Sequence, residues 1–173
     1  IVQHTTKFWN VCTKLDQHGL YLGKEEYITM LLLIHKLLMP QESAKSAVQY
    51  AFEDWNNDSR LCTKYNNTSV LMFGIFHRSL YTLCDTWVPT LKIKDYYEWL
   101  TWVFNKITIP NPNRSIHDKR KRIFKPLTVE YQEVLKGKLK KKNQDESNKI
   151  QISIEASPEE QERRQKIIDE FLI

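Results

Sequence analysis

The stretch Asp16-Gln17-His18-Gly19-Leu20-Tyr21-Leu22-Gly23-Lys24-Glu25-Glu26 decides how this chain folds, because it separates two segments of helical period. Before it, residues 5–15 place Phe8, Trp9, Cys12 and Leu15 on one face, at the i, i+3/i+4, i+7 spacing of an amphipathic helix. Asp16-Gln17-His18-Gly19 breaks that helix. Lys24-Glu25-Glu26 opens a second, whose positions from Tyr27 to Leu38 are almost continuously apolar, so it is expected at the centre of the fold; Pro40 stops it. The first forty residues therefore read as helix, loop, helix.

Working outward, Ser43 or Glu42 starts a third helix with Ala44, Ala47, Val48, Ala51, Phe52 and Trp55 as its buried stripe, ending in the turn formers Asn56-Asn57-Asp58-Ser59. Ser69 caps a fourth over residues 70–87, closed by Pro89, and a fifth runs over residues 95–107 before Pro110 and Pro112. Beyond them, residues 111–127 hold too little apolar surface for a core and read as an extended basic linker. Thr128 caps a short helix over residues 129–142 that Gly137 interrupts, and residues 151–155 alternate like a strand. Ser157-Pro158-Glu159-Glu160 combines a cap, a first-turn proline and acidic residues on the positive end of the dipole, and opens a last helix. The expected fold class is all-α: a paired helix–loop–helix plus an extra helix in residues 1–110, an extended basic tail in 111–156, and a terminal amphipathic helix in 157–173.

Composition supports that division. The 173 residues are 41% hydrophobic, 27% charged and 12% aromatic, a globular balance, but 17 of the 20 aromatics and all five tryptophans lie in residues 1–109. The tryptophans are expected to fill a small core rather than to line a ligand cage. Charge divides too: net +1 over residues 1–110, +8 over 111–142 and −4 over 143–173, together the +5 of the chain. No apolar run is long enough to span a bilayer, and no charged-then-apolar leader opens the sequence. Three cysteines, Cys12, Cys62 and Cys84, with no C-x-x-C pair, suit a reduced intracellular protein. The first residue is Ile1 rather than Met, as expected of a piece of a longer protein.

The loop opens a question of metal chemistry. Its latter half, Tyr21-Leu22 followed by Lys24-Glu25-Glu26-Tyr27, matches an EF-hand loop, in which an apolar residue pairs with a sister loop and a glutamate four positions on is the bidentate ligand. The front half does not match. Residues 16–26 number 11 rather than the motif's 12, and His18 and Gly19 stand where oxygen ligands belong. In the sister segment, aligning Val70 with Leu22 puts Gly74 at the glutamate position and Thr63 at the first. Calcium needs six or more oxygens, so a metal-free pair is expected; if any residues retain a ligand role, they are Asp16 and Glu26.

The runs Leu22-Gly-Lys-Glu-Glu-Tyr27, Ala51-Phe-Glu-Asp-Trp55-Asn-Asn-Asp58, Leu71-Met-Phe-Gly-Ile-Phe-His-Arg-Ser-Leu80 with Asp85-Thr86-Trp87, and Tyr97-Glu-Trp-Leu-Thr-Trp-Val-Phe104 resemble a degenerate EF-hand-like helical module of ciliary and flagellar proteins. The resemblance covers roughly residues 15–108. It rests on an acidic-Trp-x-x-Asp motif ending the third helix and an Asp-x-Trp ending the fourth; Gly74 departs from the acidic residue often found there. It implies a non-enzymatic structural or adaptor role in the axoneme, within the cytoplasm and cytoskeleton, with other axonemal proteins and tubulin as partners.

Enzyme chemistry has little support: the five histidines are scattered, and no H-E-x-x-H, G-x-S-x-G or phosphate loop occurs. No cofactor, small-molecule substrate or membrane is expected. The candidate partner-binding residues are Arg114, Lys119, Arg120, Lys121, Arg122 and Lys125, for an acidic surface, and Ile167, Ile168 and Phe171, for a neighbour's groove. Two alternatives stand beside the scaffold: a calcium sensor using Asp16 and Glu26, and a nucleic-acid binder using Lys119 to Arg122, although only Phe124 offers an aromatic platform there.

Overall fold

Six α-helices and two short antiparallel strand pairs make up the described residues, 1–62, 64–112 and 120–154, of a computed structural model, with side chains described as far as residue 141. Helix α1 (Val2–Val11) ends before the apolar spacing does: Cys12 is extended, at φ −66° and ψ 139°. The cause is Lys14, whose ammonium folds back to donate to the carbonyls of Trp9 and, at 2.8 Å, of Cys12, and lies 4.4 Å from the centre of the Trp9 ring. A cation on the last carbonyls satisfies both their lone pairs and the negative end of the helix dipole.

Helix α2 (Lys24–Leu38) is central as expected, burying Tyr27, Ile28, Met30, Leu32 and Ile34 against α3 and α5. Helix α3 (Ala44–Ser59) is capped by the Ser43 hydroxyl, which accepts from the Ser46 amide at 3.1 Å. It runs on through the turn formers after Trp55, because Asp58 accepts the Tyr27 hydroxyl at 2.7 Å and is held in the last turn. Strands β1 (Lys64–Tyr65) and β2 (Thr68–Ser69) then pair around Asn66 and Asn67, whose φ values of 49° and 60° are those of a tight hairpin turn. Ser69 is thus a strand residue and caps nothing; helix α4 (Phe73–Trp87) begins after Met72. Helix α5 (Ile93–Ile107) starts two residues before Asp95, which sits in its first turn and accepts from the Thr90 hydroxyl.

The domain does not end at Pro110. Strand β3 (Thr108–Pro110) pairs with β4 (Arg122–Phe124), placing Thr108 opposite Phe124 and Pro110 opposite Arg122. The Lys125 amide donates to Ile107 at 2.9 Å and the Asn111 amide to Lys121 at 3.1 Å, lengthening the ladder at both ends. Part of the segment expected as an open linker therefore returns to the core, since its main-chain groups find partners there. Helix α6 (Val129–Ile154) begins with Tyr131 buried (4% exposed) and the Lys36 ammonium 5.5 Å from its ring centre.

Contacts divide the chain into two units, Ile1–Gln132 and Glu133–Ile173. In the second, α6 passes through Gly137 without a break and takes in residues 151–154, read from sequence as strand-like. A glycine costs a helix only about 1 kcal/mol against alanine, and the lysines, leucines, glutamates and glutamines around it are good helix formers. The expected terminal helix over 157–173 lies outside the described residues.

In the first unit, Tyr27, Phe8, Phe76, Leu22, Ile28 and Met30 are among the fully buried side chains. Only two tryptophans fill the core, Trp9 and Trp55; Trp87 and Trp102 reach the surface, 36% and 43% exposed. Among the described residues no helix is long and apolar enough to cross a membrane.

A basic groove beside the first loop

The two loops meet through their main chains. The Leu22 amide donates to the Leu71 carbonyl at 2.9 Å and the Leu71 amide to the Leu22 carbonyl at 3.0 Å, while Lys14 bridges to Leu22 on the other side. The partner of Leu22 is Leu71, one residue later than the alignment through Val70. That register moves the position of a bidentate glutamate from Gly74 to Ile75, which carries no oxygen.

Asp16 serves its own loop. Its carboxylate accepts from the amides of His18 at 3.0 Å, Leu20 at 2.9 Å and Tyr21 at 2.8 Å, and Gly19 supplies the positive φ (71°) the turn requires. Loss of solvent opposes ionisation of Asp16, but the three amides outweigh it and hold the carboxyl below the usual carboxylate range. Glu26 is half-buried in the first turn of α2. Among the described residues no group of three or more His, Cys, Asp or Glu side chains is placed to hold a metal ion.

Beside this loop, a groove of about 1110 Å³ runs between the end of α1, the Asp16–Gly19 turn and the β3–β4 hairpin. Among the described residues, five cationic side chains line it, Lys7, Lys14, Arg120, Lys121 and Arg122, against one carboxylate, Asp16, and its floor includes Val11, Cys12 and Phe104. Arg120 reaches across to donate to the Val11 carbonyl at 3.1 Å and the Thr13 hydroxyl at 2.7 Å. Arg122 donates through Nε to the Thr108 hydroxyl at 2.8 Å and through a terminal nitrogen to the Thr108 carbonyl at 3.0 Å, with its guanidinium 5.6 Å from the Phe104 ring centre. These two arginines thus build the groove as well as charge it.

Of the other candidates, Lys121 is exposed on the groove and Lys125 is exposed beyond it; Arg114, Lys119, Ile167, Ile168 and Phe171 lie outside the described residues. Lys7 and Lys14 were not among the residues singled out from sequence. Their signal is weak, since the two lysines lie within a nearly neutral segment and meet the basic run only in space.

The aspartates of the two tryptophan motifs have structural partners. Tyr27 donates to Asp58 and shares a 2.6 Å hydrogen bond with Ser79, tying α2, α3 and α4 together; Tyr96 donates to Asp85, tying α5 to α4. Burial raises the Tyr27 hydroxyl far above the ordinary phenol range, reinforced by the Asp58 charge. Burial also pushes Cys12 up to about 12, and burial followed by the neighbouring Asp85 pushes Cys84 up to about 12. Both thiols are therefore protonated at neutral pH and are poor nucleophiles. Compared with known proteins, the chain matches no family model, no curated protein and no solved structure.

Proposed function

We propose that the protein is a non-enzymatic structural or adaptor component of the ciliary or flagellar axoneme, docking through a metal-free, EF-hand-like helical module and through basic residues that engage acidic neighbours in the cytoskeleton. The observation that carries the metal-free docking role is the pairing of Leu22 with Leu71, which puts Ile75, a side chain without oxygen, at the bidentate position of the second loop. In the first loop the Asp16 carboxylate is bonded to three amides of its own turn, which it shapes. The Leu22–Leu71 pairing further supports an EF-hand-like arrangement of the loops. The hydrogen bonds of Asp58 and Asp85 to tyrosines support a scaffold, since the carboxylates of the resembling motifs are used to hold helices together. The axonemal placement rests on the resemblance of those motifs.

Titration calorimetry of the full chain with calcium tests the first part: no heat is expected, and a micromolar site accompanied by a helix rearrangement overturns metal-free docking. Co-sedimentation of the full chain with axonemes and with microtubules tests the second. Retention by duplex DNA alone overturns the axonemal role.

A further inference from the structure

We infer that the groove between the end of α1 and the β3–β4 hairpin is a binding site for an extended, glutamate-rich peptide segment of a partner protein. This deepens the docking role proposed above and rests on it for the partner's being a protein. Among the described residues, five cations converge on the groove from two segments more than a hundred residues apart, Lys7 and Lys14 on one wall and Arg120, Lys121 and Arg122 on the other, with only Asp16 of opposite sign. The pairing of β3 with β4, and the bonds of Arg120 to Val11 and Thr13, hold the two walls together before any ligand arrives. A preformed site spends less free energy on ordering when it binds.

Lys7 and Lys121 are exposed, and neither makes an ion pair among the described residues. Their charges are open to a ligand, whereas Lys14 and Arg122 are held against carbonyls, a hydroxyl and aromatic rings. At about 1110 Å³ the site exceeds the roughly 300–1,000 Å³ of small-molecule pockets, and it is a groove rather than an enclosed cavity, a shape suited to a chain laid along it. The half-buried Phe104 and the methylene stems of the exposed Lys7 and Lys121 offer apolar surface to the methylenes of glutamate side chains while the ammonium groups meet the carboxylates.

A nucleic acid fits less well. Phe104 already lies against the Arg122 guanidinium and makes an edge contact with Phe8 at 5.2 Å between ring centres, so among the described residues the groove offers no free aromatic face on which a base can stack.

The test is fluorescence anisotropy of a labelled octaglutamate peptide with the full chain, beside a labelled DNA duplex of similar length, at about 50 mM salt, where the Debye length still allows surface charges to act. Lys7→Glu with Lys121→Glu is compared with Lys138→Glu with Lys141→Glu, which reverses the same charge on α6. The groove variant is expected to bind octaglutamate about tenfold more weakly and the α6 variant to bind nearly as the native chain does. Equal losses in the two variants, no loss in the groove variant, or tighter binding of the duplex with the same dependence on Lys7 and Lys121 overturns the inference. Circular dichroism of both variants checks that each is folded; should the double reversal unfold, Lys7→Gln with Lys121→Gln replaces it with the same expectation in smaller measure. Failure of the wider role is separate: octaglutamate bound in the groove by a chain that axonemes do not retain leaves the groove standing and removes the axonemal placement, while axonemal retention without octaglutamate binding removes the groove alone.

Discussion

Leu22 and Leu71 exchange both main-chain hydrogen bonds, at 2.9 and 3.0 Å, and neither is exposed at all. One residue from each loop thereby joins the α1–α2 half of the domain to the segment leading into α4, and both side chains lie in the core between them. Replacing either by alanine keeps the backbone bonds and removes buried volume, which costs about 2–5 kcal/mol for a leucine in a packed site. Leu71→Pro removes the amide as well, leaving the Leu22 carbonyl without its donor, and is expected to be worse than Leu71→Ala. Urea denaturation of the three variants checks the order; equal stability of Leu71→Pro and Leu71→Ala would show that the bridge carries no stability.

Tyr27 joins three helices through a single oxygen. Tyr27→Phe keeps the ring against Trp55 and Phe76 but leaves Asp58 and Ser79 without that partner. The loss is expected to be about 1–3 kcal/mol, the cost of stripping a buried polar contact that includes a charged acceptor. Asp58→Asn, which can still accept the hydroxyl, is expected to lose less. Thermal melts of the two variants decide; a Tyr27→Phe protein as stable as the native one would show that this hydroxyl locks nothing.

Much of the helical plan was legible because it depends on local spacing. The Lys24 start of α2, its stop before Pro40, the Ser43 cap and the end of α4 at Trp87 all follow from side chains within a turn or two of the boundary. What was not legible came from contacts distant in sequence. Cys12 leaves the helix because Lys14 caps it, although its apolar character fits the helical stripe. Arg122–Phe124 pairs with residues ahead of Pro110, and the lysines and arginines around it hid the β-branched and aromatic pair Ile123-Phe124. The β1–β2 hairpin did have a local sign, Asn66-Asn67 between two short segments of strand formers. The groove has none, since its cations come from residues 7–14 and 120–122 and converge only in the folded chain.

The two buried thiols make stability depend on alkaline pH. Cys12 is raised from about 9 to about 12 and Cys84 likewise, so in both the folded state favours the protonated form. A raised pKa contributes stability that is full below the unfolded value and falls as pH rises from there through the folded value. The two thiols should therefore leave urea midpoints steady between about pH 7 and about pH 9 and pull them down from there towards about pH 12, with Tyr27, raised in the same sense, adding to the fall above the ordinary phenol range and Lys14, lowered by burial, opposing part of it. Cys12→Ala is expected to flatten part of that decline. In the native protein at about pH 8, a thiol reagent should modify the half-buried Cys62 first, with Cys12 and Cys84 reacting only after denaturation. Prompt reaction of all three would contradict their burial.

Arg122 bonds twice to Thr108 while lying against Phe104, and Tyr131 is buried nearby in sequence, so residues 120–132 complete the first unit rather than trail from it. A fragment ending at residue 110 lacks β4, both arginine struts and Tyr131, and should unfold at lower urea than a fragment ending at residue 132. Arg122→Ala in the longer fragment removes the charge-assisted bonds and the stacked guanidinium, and is expected to cost about 1–3 kcal/mol. Arg122→Lys keeps the charge but not the two-pronged geometry and should recover only part of that loss. Amide hydrogen exchange gives the local check: the amides of Lys125 and Asn111, which close the two ends of the ladder, should exchange faster in Arg122→Ala, while those of α2 slow down or speed up only with global stability. Unchanged protection at Lys125 and Asn111 would mean that the hairpin holds without its arginine.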